Sequence, residues 1–219
     1  MELTEGGRIT NNWEGVTRFR EGGLNLNFDT VLGILIGIGL SAACGFRVFV
    51  PLLVMNLAAT HGLLHLSSGF EWIGSPYATI ALATATILEV LAYYIPWLDH
   101  ALDVVASPAA VVAGMVTTAS LVTDVSPFLK WTLAIIAGGG IAGLVQGATV
   151  TLRAKSTLFT GGLGNFLVAT FELLGATLTA VLAILVPLLC LALIVLLLFY
   201  TIRKTGQFIF GRMRSSTRA

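Results

Sequence analysis

The chain has 219 residues, of which 56% are hydrophobic and only 11% charged, and its mean hydropathy is +0.92. A soluble domain of this length needs far more surface charge, so the composition excludes a water-soluble globule and marks an integral membrane protein. The formal net charge of +1 identifies no charged partner, and a nucleic-acid partner is not expected.

Residues 1–28 are polar, Gly-rich and of mixed charge, without the apolar core of a signal peptide, and they read as a polar, disordered or surface-lying tail. The first apolar run, from Val31 to Thr60, is too long for one straight crossing of a ~30 Å hydrocarbon core, which takes roughly 20 helical residues. Gly45 and Pro51 predict a bend within it. Residues 61–76 read as a loop with Phe70 and Trp72 as interfacial aromatics. A second span follows from Tyr77 to Ile95. A third runs from Val104 to Thr123 with Pro108 in its first turn, and a fourth from Trp131 to Leu152. The last apolar run, Phe166 to Tyr200, fits a tight hairpin breaking near Pro187.

Lys and Arg favour the cytoplasmic face. An even number of crossings between Arg153/Lys155 and the basic tail (Arg203, Lys204, Arg212, Arg214, Arg218) places both clusters inside. The expectation is therefore an all-α, polytopic transmembrane bundle of about six spans with both termini cytoplasmic. Residues 29–205 form the membrane domain and 206–219 a basic cytoplasmic tail.

Small residues recur every fourth position in four spans: Gly33, Gly37, Ser41, Gly45; Ala81, Ala85; Ala106, Ala110, Gly114, Thr118; Gly139, Gly143, Gly147, Thr151. Lipid gives helices no hydrophobic reason to associate, so close backbone approach through small side chains supplies the packing. The same faces suit a homo-oligomer or partner helices. Sliding the chain by 106 residues superposes Gly33 on Gly139, Gly37 on Gly143, Ala42 on Ala148 and Arg47 on Arg153. Each arginine precedes a helix with one lone glutamate, Glu89 or Glu172. This echo suggests a 3+3 inverted repeat of the kind found in secondary transporters, although a Gly-rich chain also aligns with itself by accident.

Arg47 is the residue that most needs an explanation. An arginine at the centre of a membrane helix costs roughly 2.5–3.5 kcal/mol on insertion scales. Pro51 lacks the N–H that would bond the Arg47 carbonyl, so the helix is predicted to open beside the cation. A broken helix plus a charge marks substrate and ion sites, while an ion pair with Glu89 or Glu172 is the structural alternative. Glu89 and Glu172 lie in line with small residues and are predicted to face other helices. Burial favours the protonated carboxyl unless a cation pairs with it, which suits proton or cation handling. Arg47, Glu89, Glu172 and Arg153 are therefore the candidate substrate- or ion-binding residues.

Secondary candidates lie in "YYIPWLDHALD": Asp99 and Asp103 share a helical face at spacing four, with His100 beside them. That trio could hold a divalent ion or relay protons, but it sits at a span boundary where such residues also start helices. No resident metal, cofactor or catalytic residue is expected, and the chain is not read as an enzyme. Cys44 and Cys190 lie in apolar runs and read as buried free thiols. "STLFTGGLGN" lacks the lysine and spacing of a phosphate loop and reads as a re-entrant turn.

"GFRVFVPLL", "ILEVLAYYIPWLDHALD" and "GGGIAGLVQGATVTLRAKSTLFTGGLGNFLVATFE", in that order, resemble the bacterial multi-pass membrane family known as domain of unknown function 4126. The likeness covers roughly residues 31–205. It implies an integral protein of the bacterial cytoplasmic membrane, and it supplies no activity or catalytic residue to carry over. Three functions remain open: a small transporter or channel, a non-catalytic scaffold or assembly factor, and a lipid-active enzyme using Asp99, His100 and Asp103.

Overall fold

A computed structural model describes the backbone of residues 27–216, and the side chains of all of these except 96, 97, 99–101, 201, 202 and 204–216. Seven helices account for most of the described residues, and no strand occurs among them. They are α1 (Phe28–Cys44), α2 (Phe49–Thr60), α3 (Pro76–Ala92), α4 (Pro96–Leu121), α5 (Pro127–Thr160), α6 (Asn165–Leu185) and α7 (Pro187–Ser216). By length and composition α4, α5 and α6 can each cross a membrane; α1, α2, α3 and the first part of α7 are shorter apolar helices.

Proline sets where helices begin. Pro76, Pro96, Pro127 and Pro187 each open a helix, where the missing N–H is no loss and the fixed φ is already helical. Ser75 and Ser126 cap two of these starts, accepting from Ala78 N at 3.2 Å and Leu129 N at 3.3 Å. Pro108 stands well inside α4 rather than in a first turn, because the helix begins twelve residues earlier, at Pro96. Within α5, residues Ala134–Gly139 form a π-helical stretch that shifts the face presented to the bundle.

Contacts along the helices fix their directions. α1 runs antiparallel to α4: Gly33 packs on the Leu121 carbonyl, Gly37 on Thr118, and the Ser41 hydroxyl donates to Gly114 O at 2.8 Å. Chain reversal comes at Gly45–Val48. α2 then climbs back, so that Met55 meets Ser120 and Asn56 bonds Ile73 and Thr79 at the start of α3. The bend expected between Val31 and Thr60 is thus a full hairpin, with α1 and α2 as its two arms. α5 descends beside α4, α6 rises, and α7 descends again after a sharp break at Val186, the hairpin expected near Pro187. The start of α1 and the end of α7 therefore lie at opposite ends of the bundle.

The same directions settle the internal echo. α1 and α5 both run from the Leu121 end toward their arginine, so the matched segments are parallel and do not form an inverted 3+3 pair. α2, absent from the second half, breaks the correspondence. The spacing-four pattern also needs adjusting in α5. There Gly147 and Thr151 face outward, and the buried line is Gly138, Ala142, Val145, Gln146, Thr149, Arg153. In α3 Ala81 is exposed, and Glu89 shares its inward face with Ala78 instead.

Large apolar residues point out and small ones point in, the reverse of a soluble core. In α6 the buried line is Asn165, Ala169, Glu172, Ala176, Ala180 and Ala183, while Phe171, Leu174, Leu178 and Leu185 are exposed. Contact is correspondingly close. A Cβ added at Gly114 would lie 2.6 Å from Ala142 Cβ and 2.7 Å from Gly138 O; one at Gly45 would lie 2.6 Å from Ala142 O. Lipid-facing leucines around an interior of Ala, Gly, Ser and Thr are what packing without a hydrophobic drive requires. Cys44 and Cys190 are buried and free, as expected.

Candidate functional site

Four helices and the α1–α2 break bring their charges to one place. Asp103, Arg153 and Glu172 each stand seven residues from an end of their helix: Pro96 to Asp103, Arg153 to Thr160, Asn165 to Glu172. At 1.5 Å per residue that is ~10 Å from one end of the bundle. Glu89 stands ~20 Å down α3 from Pro76 at the other end. The site therefore lies about a third of the way along the bundle.

The arginines occupy different environments. Arg153 donates from Nε to Glu172 Oε1 at 2.9 Å, from Nη2 to Glu172 Oε2, and from Nη1 to Asp103 Oδ1 at 3.1 Å. This is the two-pronged match of guanidinium to carboxylate. Arg47 lies in the break between α1 and α2 and is 2% exposed. Its Nη2 donates to Ala169 O at 3.0 Å and stands 3.6 Å from Glu172 Oε2. Its Nε and Nη1 are buried and meet no acceptor among the described residues. Both guanidiniums lie over the Tyr93 ring, 3.7 Å from its centroid for Arg47 and 4.0 Å for Arg153. The Tyr93 hydroxyl in turn donates to Asp103 Oδ1 at 3.4 Å.

Glu89 does something else. Its carboxylate accepts Val48 N–H at 2.7 Å on Oε1 and Phe49 N–H at 3.1 Å on Oε2. These amides open α2 and have no partner within their own helix, and the helix dipole adds positive potential there. Glu89 pairs with no cation among the described residues; the opened backbone takes its charge. The break at Arg47 is as expected, and what satisfies it is an acid from α3.

All four primary candidates, Arg47, Glu89, Glu172 and Arg153, thus converge. Arg153, counted above as a cytoplasmic surface charge, is inside the cluster at 4% exposure, because Glu172 and Asp103 draw it inward. Asp103 joins as a partner of Arg153 rather than through a metal group. The side chains of Asp99 and His100 lie outside the described residues. His61 and His65 are exposed in the loop. "STLFTGGLGN" is the end of α5, a four-residue turn (161–164) and the first residue of α6 rather than a re-entrant segment, since Gly161 caps α5 at φ 64° and Gly162 follows at φ 93°.

Sequence reading missed Tyr93. It follows Glu89 by four residues, one helical turn on the same face, and that spacing was the available signal. It also missed Asn56, fully buried in α2, whose side chain ties α2 to the loop through Ile73 O and Thr79. At the far end of the bundle Lys130 donates to Ser67 Oγ at 2.9 Å, holding that loop on α5. An apolar crevice of about 70 Å³ among α1, α5, α6 and α7 is lined by residues such as Phe46, Val145 and Ile194, and no charge enters it.

A family model described as "Domain of unknown function (DUF4126)" matches residues 34–206. No curated protein and no solved structure matches the chain. The matched range contains every charge of the cluster.

Proposed function

The chain belongs to the DUF4126 family, and we propose that it is a small transporter or channel for a small solute or ion in the bacterial cytoplasmic membrane. One observation carries this reading. Two arginines, three carboxylates and a tyrosine meet inside a lipid-facing bundle at a point where a helix is broken. Charge in a membrane interior is expensive and needs a return in function, and a broken helix whose amides hold an ion is a device of secondary transporters. No catalytic step is assigned to the site. The positive-inside bias of Lys155 and the α7 end favours the cluster's nearer face as cytoplasmic.

The test is flux. In proteoliposomes the wild-type protein should move protons or ions under an imposed gradient. Arg47→Ala and Glu89→Gln, verified as folded, should reduce that flux at least tenfold; unchanged flux in both would remove these residues from the mechanism.

A second reading, a non-catalytic scaffold or assembly factor, is favoured by the mutual pairing of Arg153 with Glu172 and Asp103. Outward-facing Gly140 and Gly147, with open space around them, would serve a partner helix or a second copy. That reading predicts a stoichiometric partner on co-purification, or self-association in mild detergent, and no flux from the purified chain.

A further inference from the structure

Of the two buried guanidiniums, Arg153 is satisfied and Arg47 is not. A guanidinium carries five N–H donors, and a buried donor left unpaired bears the full loss of its hydration. Among the described residues Arg47 makes one hydrogen bond, to Ala169 O, and its Nε and Nη1 have no acceptor. The neighbouring acids are already engaged: Glu172 with Arg153, Asp103 with Arg153 and the Tyr93 hydroxyl, and Glu89 with the α2 amides. Tyr93 covers the guanidinium at 3.7 Å. Whatever completes Arg47 must therefore approach in the guanidinium plane and bring oxygens.

From this geometry we infer that Arg47 is the binding residue for a small, planar, monovalent oxyanion, with Glu89 taking up the proton that enters with it. Arginine's fork matches planar oxyanions in a way lysine's point charge does not. The proton follows from charge. Two arginines and three carboxylates sum to +2 − 3 = −1 among the described side chains of the cluster, so an anion alone is repelled, while an anion with a proton enters neutrally. Glu89 is the acceptor because it alone of the three acids pairs with no cation among the described residues. The groups around it are Arg47 at the break, Cys44 of α1, Tyr93 of its own helix, Asp103 of α4, Arg153 of α5 and Glu172 of α6. The proton comes from water and adds to the carboxylate; no covalent bond to the anion forms. For its flux this inference rests on the transport reading; for its binding it does not.

The test is calorimetric titration of the purified full chain in detergent with sodium formate and with sodium nitrate at pH 6, 7 and 8. We expect saturable one-site binding that tightens about tenfold per unit fall in pH, the slope of one linked proton. Arg47→Lys, folded by circular dichroism, should lose binding at least tenfold. Glu89→Gln, which mimics the protonated acid, should keep binding and lose the pH slope. Absence of saturable binding to the wild type, as when only water completes Arg47, overturns the inference. So does undiminished binding in Arg47→Lys, or an unchanged slope in Glu89→Gln. Binding of this profile without flux in proteoliposomes would sink the transport reading and leave the site standing; cation or proton flux without anion binding would do the reverse.

Discussion

At the scale of single residues, the two arginines should differ in how much they hold together. Arg153 joins α4, α5 and α6 through Asp103 and Glu172, whereas Arg47 holds one carbonyl and a longer contact. Arg153→Ala removes the cation that buried Glu172 and half-buried Asp103 share and should cost ~3–5 kcal/mol. Arg47→Ala should cost less, and unfolding of both variants in mild detergent gives the order. Glu89→Gln removes one of two acceptors from the start of α2, a loss of about 1–2 kcal/mol. Hydrogen exchange should show Val48 and Phe49 amides opening faster in that variant while the α4 amides stay protected. Arg47, Glu89, Glu172 and Arg153 were legible in the sequence because a charge inside an apolar run demands a reason. Their partners were not: that Arg153, rather than Arg47, takes both oxygens of Glu172 depends on helix rotation, which no spacing encodes.

At the scale of elements, small residues set how near the helices come. Gly114→Leu places a side chain against Ala142 and the Gly138 carbonyl, where even a Cβ lies under 3 Å from both. It should destabilise by about 1–3 kcal/mol or more, as overpacking does. Gly140→Ala meets open space and should be neutral or slightly stabilising, since alanine favours helix over glycine. Equal losses at the two positions, read as thermal unfolding temperatures, would contradict the packing described here. The hairpin at Pro187 was readable from length and proline together, but the apolar run puts the start of α4 at Val104, with Pro108 in its first turn, and it lies at Pro96. The α1–α2 reversal was readable only as a break: Gly45 and Pro51 interrupt the hydrogen-bond ladder, but the turn angle is set by α4 and α6 packing on α1. In α5 a strict spacing of four drifts about 40° per step around the helix, so its later small residues, Gly147 and Thr151, leave the buried face.

At the scale of the whole molecule, a shell of exposed Leu, Ile and Phe encloses an interior of small and charged side chains, and α1 is the helix on which α2, α4, α5, α6 and α7 all pack. Composition alone declared the membrane class. Running the matched segments in the same direction, with α2 inserted, is a topological fact that a sequence alignment cannot distinguish from inversion. The cluster is then either a structural knot of charge or the place where something crosses. One double variant separates these, Arg153→Gln with Glu172→Gln, because it removes a buried cation together with the acid it grips at both oxygens, and leaves Asp103, 15% exposed, with the Tyr93 hydroxyl. The decisive measurement is gradient-driven flux through proteoliposomes of the wild type and this variant, with thermal unfolding recorded on the same preparations. The account predicts a wild type that conducts and a double variant that unfolds within a few degrees of it yet has lost its flux. A wild type without flux, or a double variant that conducts as well as the wild type, would contradict it.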